Sequence, residues 1–181
     1  MKKYELTKET KTLADGTVLH RICALRDIPM HGVKYGDLGG WIEKENNLSQ
    51  DGDAWVSGNA EIFGEARVSG NAEISGDARV FGDAEISGDA EISGEARVSG
   101  NAEISGDADY MVIKNTWSSG RWFTYTRSNK KWAVGCFYGT GEELIKKAYD
   151  DSELSGKCYE AIVRAVETIE AAKAEAKGEA K

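Results

Sequence analysis

Residues 70–81 read Gly-Asn-Ala-Glu-Ile-Ser-Gly-Asp-Ala-Arg-Val-Phe, two copies of a six-residue unit that recurs from residue 52 to residue 109. Each unit has glycine first, Asp, Asn or Glu second, alanine third and, with few exceptions, Val or Ile fifth. Internal repeats are the strongest indication of fold class in a single sequence. A unit of six residues is too short for a helix pair or a propeller blade.

The unit resembles the hexapeptide repeat of left-handed parallel β-helices. That resemblance implies that the aliphatic residue points into a triangular prism and that alanine fills the space near a corner. The pair Gly–Asp or Gly–Asn would turn the corner, because Gly and Asn adopt positive φ most readily. Three units would make one turn, so residues 18 apart would stack. We therefore predict a mainly β protein with a short left-handed parallel β-helix of about three turns over residues 51–109.

Residues 1–50 are predicted to form an N-terminal hairpin and cap. Two strand-like stretches, Tyr4 to Thr12 and Val18 to Ile28, flank the hairpin signal Asp15-Gly16. The turn-rich segment 32–50 precedes the first repeat, and a solenoid end needs such a cover for its unpaired backbone groups.

Residues 110–181 are predicted to form a C-terminal cap with a three-stranded β-meander and two α-helices. The strand-like stretches lie between residues 110 and 138, separated by turn-like segments. Thr140 and Glu143 have capping-box spacing, which predicts a helix over about 141–150. A second helix is expected from about 156, with its apolar face ending at Ile169.

The charge of the chain is concentrated in the repeats. The 181 residues carry a net charge of −8, and residues 51–109 hold 14 Asp and Glu against three Arg. This acidity is typical of solvated faces, or of a nucleic-acid mimic that occupies a DNA-binding host protein. The three cysteines are far apart, and the sequence contains no run of about 18 apolar residues. Residues 1–7 lack the apolar stretch of a signal peptide, so we expect none. We expect a cytoplasmic protein, in the host cell cytoplasm, that does not contact the membrane.

The number and positions of the histidines argue against the enzyme activities found among hexapeptide-repeat proteins. Hexapeptide-repeat proteins include acyltransferases, which use histidine as a general base, and carbonic anhydrases, which hold zinc with three histidines. This chain has only His20 and His31, and both lie outside the repeats. We therefore predict no enzyme activity, no cofactor and no metal site.

One face of the predicted prism is unlike the other two. Stacking at 18 residues aligns Phe63 with Phe81 and places Arg79 and Arg97 beside them. Exposed phenylalanine and arginine are enriched in interfaces. We predict that these four residues form an oligomer interface, and the resemblance implies a trimer. The alternative is that the caps fold over this face and bury it.

An aromatic and basic cluster lies in the C-terminal cap. On a strand, Arg121, Phe123, Tyr125 and Arg127 would share one sheet face, with Lys130 and Lys131 close by. Aromatic rings stack on bases, and Arg and Lys bind phosphates. These six residues are the predicted ligand-binding site. The alternative is that Phe123 and Tyr125 pack beneath the C-terminal helix.

Several further pieces of the chain carry a second resemblance: residues 36–43, residues 123–129, residues 135–144 and the Gly-Asn-Ala and Gly-Asp-Ala repeats. With them, nearly the full length resembles small hexapeptide-repeat proteins of bacteriophages and prophages. That resemblance implies a phage protein acting against host defence. We expect non-enzymatic binding that sequesters a small nucleotide signal. An acidic, DNA-mimic-like inhibitor of a host defence protein and a structural phage component remain alternatives.

Overall fold

The repeats form a parallel β-solenoid in the computed structural model, which describes residues 2–179. Each repeat contributes a strand of two residues, and each strand pairs in parallel with the strand 18 residues along the chain, as Glu61 does with Arg79. These strands are β4 (Trp55–Val56), β5 (Glu61–Ile62), β6 (Arg67–Val68), β7 (Glu73–Ile74), β8 (Arg79–Val80), β9 (Glu85–Ile86), β10 (Glu91–Ile92), β11 (Arg97–Val98) and β12 (Glu103–Ile104). The predicted mainly β fold class, with its solenoid, is confirmed.

The solenoid has three walls and a solid core. The first wall contains β5, β8 and β11, the second β6, β9 and β12, and the third β4, β7 and β10. The Val and Ile of the repeats point inwards and are at most 1% exposed, and the repeat alanines are fully buried up to Ala102. Burial of this apolar surface is the main force that stabilises the coil.

The solenoid begins earlier than the repeats predict. Strand β3 (Leu38–Ile42) extends the first wall, with Trp41 paired in parallel with Glu61, and Leu48 bridges to Val68 of the second wall. The coil therefore has about four turns instead of three, and residues 38–48 of the predicted cap segment 32–50 belong to the first turn. A side chain on Gly39 would meet the carbonyl oxygen of Val56 at 2.5 Å, so glycine is required where this first turn closes.

The hairpin extends the first wall at the N-terminal end. Strands β1 (Tyr4–Thr12) and β2 (Val18–Ala24) pair antiparallel, and β2 pairs antiparallel with β3. The sheet order is therefore β1-β2-β3-β5-β8-β11. The second strand ends at Ala24, short of the predicted Ile28, and a 3-10 helix follows at Pro29–His31.

The two ends of the coil are capped by opposite hydrogen-bonding groups. Along the coil, backbone N–H groups donate to the following turn, as Trp55 N does to Ala72 O. The first turn therefore presents carbonyls, and Lys3 Nζ donates to Ala54 O (2.7 Å) while Tyr4 Oη donates to Leu48 O (2.7 Å). The last turn presents N–H groups, which need acceptors instead.

Hydroxyl groups of the C-terminal cap supply those acceptors. Arg97 N donates to Thr124 Oγ1 (2.9 Å), and Glu103 N donates to Ser128 Oγ (2.8 Å). The cap is a meander of four strands, one more than predicted. The strands are β13 (Tyr110–Lys114), β14 (Trp122–Thr126), β15 (Lys131–Val134) and β16 (Phe137–Gly139), in that sheet order.

Two helices cover the outer side of the meander. Helix α1 (Gly141–Asp151) begins with the predicted capping box, in which Thr140 N donates to Glu143 Oε2 at 2.7 Å. Helix α2 (Glu153–Glu179) starts three residues before the predicted position and runs through the Ala/Lys/Glu segment. None of the helices in the described part of the chain combines the length and apolarity needed to cross a bilayer.

Candidate ligand-binding face

The aromatic pair of the predicted ligand site is buried. Phe123 and Tyr125 do share one face of β14, but their exposed fractions are only 0% and 8%. That face packs against the helices: the Phe123 ring meets Tyr159 of α2 edge-on at 4.7 Å between centroids. The prediction that these rings are available to a base is therefore wrong. A small cap needs aromatic burial to fold, and helix α2 supplies the covering layer.

The basic residues of the predicted ligand site do not converge. Arg127 Nε lies 2.8 Å from Glu170 Oε2 of α2, and its guanidinium also donates to Ala108 O. Arg121 and Lys130 are exposed, and Lys131 is half-buried. Glu170 neutralises the one arginine that stays beside the buried rings. Phe123, Tyr125 and Arg127 thus join the cap sheet to α2, and the six residues do not form one pocket.

A different cluster is assembled on the outer surface of the first wall. Phe63, Phe81, Arg79 and Arg97, called here the arginine–phenylalanine face, lie together as the 18-residue stacking predicts. The two rings are parallel within 2°, with centroids 5.0 Å apart. Both phenylalanines and both arginines are half-buried, so the caps do not cover the face. A role as an oligomer interface stays a prediction.

Each arginine of this face lies over a ring. The Cζ atom of Arg79 is 5.2 Å from the Phe63 centroid, and that of Arg97 is 6.0 Å from the Phe81 centroid. Such contacts hold a guanidinium beside an aromatic surface while its N–H groups remain available to other partners. The face therefore places a column of arginines beside a stack of two rings.

The two arginines differ in their charge partners. Arg79 Nε lies 2.7 Å from Glu61 Oε2, and Lys11 forms a second ion pair with the same buried carboxylate. Arg97 forms no ion pair with any residue in the described range 2–179. Burial lowers the pKa of Arg97, and the neighbouring Arg79 lowers it further. The Glu61 carboxylate acts on the Arg97 pKa in the opposite direction, but it is not in ion-pair contact with Arg97. Arg97 is thus a partly desolvated cation without an ion-pair partner among the described residues.

A second unsatisfied group lies next to Arg97. Ser99 continues the column of Phe63 and Phe81, and it is 4% exposed. Its Oγ atom is buried and has no hydrogen-bond partner among the described residues. Buried polar groups are normally hydrogen-bonded, so the unpaired Ser99 Oγ is an exception. It lies at the same end of the face as Arg97.

Both ends of the arginine–phenylalanine face are walled. At one end the hairpin tip, with Lys11 and Leu13, borders a cavity of 610 Å³ that is also lined by Asn59, Glu61 and Arg79. At the other end Tyr138 Oη donates to Ser99 O (3.1 Å), and Cys136 lies near Arg97. The face is therefore a short trough and not a flat strip. The sequence analysis did not identify Glu61 or Lys11 as part of this face. The 18-residue spacing of Glu61, Arg79 and Arg97 could have predicted that Glu61 lies beside Arg79.

The other two walls carry mainly acids. Glu73 stacks on Glu91 in the third wall, and Glu85 stacks on Glu103 in the second. Corner residues form ladders, as where Asn71 Nδ2 donates to Asp89 Oδ1 at 3.0 Å. Like charges in register are unfavourable, and the exposed position of most of them limits that effect through solvent screening.

The histidines occupy separate structural positions. His31 Nδ1 lies 3.3 Å from Glu73 Oε2 against the third wall, whereas His20 Nδ1 lies 3.4 Å from Thr7 O in the hairpin. Within residues 2–179, no group of three or more His, Cys, Asp or Glu is arranged to hold a metal ion.

The chain matches no known protein-family model, and it matches none of the curated proteins. The structural class of the chain therefore follows from its fold alone. It is a parallel β-solenoid with complementary caps and one cationic, aromatic trough.

Proposed function

We propose that this protein is a non-enzymatic binding protein that sequesters a small nucleotide-like anion in the arginine–phenylalanine trough. The observation that carries the proposal is Arg97, a half-buried guanidinium stacked on Phe81 without a carboxylate partner. The function is the one expected from the sequence, but the site lies on the solenoid and not in the C-terminal cap.

The chemistry of the trough suits a phosphate beside a planar group. Guanidinium binds phosphate through charge-assisted, often bidentate hydrogen bonds, and a partly desolvated guanidinium binds it more strongly than an exposed one. The exposed edges of the two phenylalanine rings add apolar contact for a base or ribose. One such phosphate and one such base support an affinity of about micromolar.

The walls of the trough favour a small ligand over a flat subunit contact. The hairpin tip borders Glu61 and Arg79, and Cys136 of the β15–β16 turn lies near Arg97, so cap residues flank the arginine column. A nucleotide is small enough to enter. If the resemblance to phage proteins holds for function, the ligand is a nucleotide signal of host defence and the protein removes it from solution.

The matched control for this proposal is built into the repeat. Arg67 holds the same repeat position as Arg97, but it lies on the second wall, is exposed and stacks on Glu85. Arg97→Gln and Arg67→Gln remove the same charge from the same position of a two-residue strand. Binding should be lost in the first variant and kept in the second.

The first experiment is mass spectrometry of small molecules released from denatured protein. We expect a phosphorylated, nucleotide-like compound from wild type and from Arg67→Gln, and little from Arg97→Gln. If nothing is released, thermal melting with AMP, ADP-ribose and cyclic di-AMP follows, because a ligand of the folded state raises the melting temperature. Equal behaviour of Arg97→Gln and Arg67→Gln in both assays would contradict the proposal.

A second candidate function rests on the acidic walls. Glu73 and Glu91, with Glu85 and Glu103, present carboxylates in regular register on two sides of the solenoid. A regular array of negative charge is the feature by which a protein would imitate a nucleic acid and occupy a DNA-binding defence protein. Steep salt dependence of binding to such a host protein, with competition by DNA, would support this candidate over ligand sequestration.

A further inference from the structure

The arginine–phenylalanine trough continues into the cavity at the hairpin tip. Arg79 belongs to both, because its guanidinium lies over Phe63 in the trough and it lines the 610 Å³ cavity together with Lys11 and Asn59. Arg97 pairs with Arg79 in the wall, so the two residues are one turn apart, which is about 4.8 Å. One ligand molecule can therefore reach from Arg97 into the cavity.

The two ends of this continuous site differ in charge. At the Arg97 end, the guanidinium has no ion-pair partner in the described range 2–179, and the buried Ser99 Oγ beside it has no hydrogen-bond partner in that range. At the cavity end, the Glu61 carboxylate forms ion pairs with both Lys11 and Arg79. A phosphate group is therefore favoured at the Arg97 end.

The cavity end offers hydrogen-bond acceptors. Asn59 and Asp77 stack at the corner that precedes the first wall, where Asn59 Nδ2 donates to Asp77 Oδ1 at 3.2 Å. Among the described residues, no group donates to the other carboxylate oxygen of Asp77 or to Asn59 Oδ1. Both of these oxygens are acceptors, so they suit a ligand group that donates hydrogen bonds.

The charge of the cavity indicates which kind of donor it suits. Its charged lining residues are the cations Lys11 and Arg79 and the carboxylates Glu61 and Asp77, so the lining has no net charge. An ammonium group would meet two cations there, and a second phosphate would meet two carboxylates. A neutral hydroxyl group avoids both repulsions, and its hydrogen bond to a carboxylate is charge-assisted.

We propose that the ligand is a ribonucleotide with a free ribose diol, whose 5′-phosphate binds Arg97 and whose 2′- and 3′-hydroxyl groups donate to Asp77 and Asn59. This inference rests on the proposed function and specifies the class of its ligand. The spacing agrees with it: Asp77 is four residues before Phe81, beside which the Arg97 guanidinium lies, and four residues span at most about 13 Å. A ribose 5-phosphate with a hydrogen bond at each end fits this span.

In this arrangement Asp77 determines specificity for the sugar and does not bind the phosphate. A site that hydrogen-bonds a hydroxyl group discriminates against an analogue that lacks it. Asp77 is exposed, so solvent weakens this discrimination compared with that of a buried site. Loss of one hydrogen bond to a carboxylate then lowers the affinity by at least about tenfold. A 2′-deoxyribonucleotide should therefore bind more weakly than the ribonucleotide.

The repeat supplies a matched control for Asp77. Asp89 has the same position in its own repeat and is also exposed, and Asn71 Nδ2 donates to Asp89 Oδ1 at 3.0 Å. That pair lies at the corner before the third wall. Asp77→Ala and Asp89→Ala each remove one carboxylate and one hydrogen bond between stacked corners, but only Asp77→Ala alters the lining of the cavity.

The test is calorimetric titration of wild type, Asp77→Ala and Asp89→Ala with AMP and with 2′-deoxy-AMP, which differ only in the 2′-hydroxyl group. Wild type and Asp89→Ala should bind AMP at least about tenfold more tightly than 2′-deoxy-AMP. Asp77→Ala should bind the two nucleotides with similar affinity, close to that of wild type for 2′-deoxy-AMP. Far-UV circular dichroism shows that each variant is folded.

The outcomes separate this inference from the proposed function. Equal affinity of wild type for AMP and 2′-deoxy-AMP, or a preference for AMP that persists in Asp77→Ala, would overturn the inference alone if Arg97→Gln still loses binding. Failure of AMP to bind at up to about 1 mM, while another nucleotide binds through Arg97, would also overturn it. Failure of AMP, ADP-ribose and cyclic di-AMP alike would overturn the proposed function and the inference together.

Discussion

Most buried charged side chains in this molecule are paired with a backbone carbonyl or with a side chain of opposite charge. Lys3 is fully buried and donates to Ala54 O of the first turn, and Glu61 lies buried between Lys11 and Arg79. Removing either partner of such a pair would leave a desolvated charge, which is strongly unfavourable. Arg97 lacks a comparable partner in the described chain, and this difference is the physical basis for assigning it to ligand binding.

Lys3 should give the protein a distinctive dependence of stability on alkaline pH. Burial lowers its pKa from 10.5 to about 8. Between those values the unfolded chain binds the proton and the folded chain does not, so the free energy of unfolding rises with pH. The rise should approach about 1 kcal/mol per pH unit between pH 8 and 9.5.

The control for this effect is Lys3→Met, which keeps the length of the side chain and removes the titrating group. Burial raises the pKa of Tyr4, which lowers stability only above its ordinary value of 10, and Tyr4 is present in both proteins. Urea unfolding at several pH values should show the rise in wild type and a smaller slope in Lys3→Met. Equal slopes would show that Lys3 is not desolvated.

Two corner glycines, Gly76 and Gly94, allow the strain of positive φ to be separated from steric overlap between turns. Gly76 and Gly94 both have positive φ, of 68° and 66°. A Cβ on Gly76 would lie 2.9 Å from Gly94 N, whereas a Cβ on Gly94 would meet nothing within 4 Å. We expect Gly94→Ala to lower the free energy of unfolding by about 1–2 kcal/mol through backbone strain alone. Gly76→Ala should lower it by about 1–3 kcal/mol more, through steric overlap with the next turn. Denaturant titration measures both, and similar losses would contradict the stacking of corners.

At the scale of elements, the repeats were predictable because every determinant of a solenoid strand lies within six residues. The first turn of the solenoid was not predictable in this way. Its strand pairs Trp41 with Glu61 at a spacing of 20 residues, and the sequence around Trp41 lacks the repeat pattern. For β14, alternation correctly placed Phe123 and Tyr125 on one face, but alternation does not reveal which face a helix covers. The prediction that these two rings are exposed is wrong for that reason, whereas the stacking of Phe63 on Phe81 follows directly from the 18-residue period.

The inward residues of the strands should be intolerant of charge. Ile86 is 1% exposed in the core, and Glu85 beside it is exposed on the outer surface. Ile86→Asp would bury an unpaired carboxylate and should unfold the solenoid, whereas Glu85→Asp should change the free energy of unfolding by less than about 0.5 kcal/mol. Melting followed by far-UV circular dichroism distinguishes them. A folded Ile86→Asp protein with wild-type melting would refute the inward assignment.

Considered as a whole, the molecule is a solenoid capped at both ends, with different chemistry on its three walls. Acids occupy the second and third walls, the arginine–phenylalanine trough occupies the first wall, and the C-terminal cap presents an open strand edge beside an apolar groove. A solenoid is a scaffold, and its function lies in the sites that it carries.

The most direct test of the account is isothermal titration calorimetry of wild type, Arg97→Gln and Arg67→Gln with AMP, ADP-ribose and cyclic di-AMP. The protein is first shown by mass spectrometry to be free of bound small molecules. We predict that at least one of these nucleotides binds wild type and Arg67→Gln with about micromolar affinity. We predict that the affinity of Arg97→Gln for the same nucleotide is lower by at least about tenfold. Absence of heat from all three nucleotides with ligand-free wild type, or equal affinity of Arg97→Gln and Arg67→Gln, would contradict it.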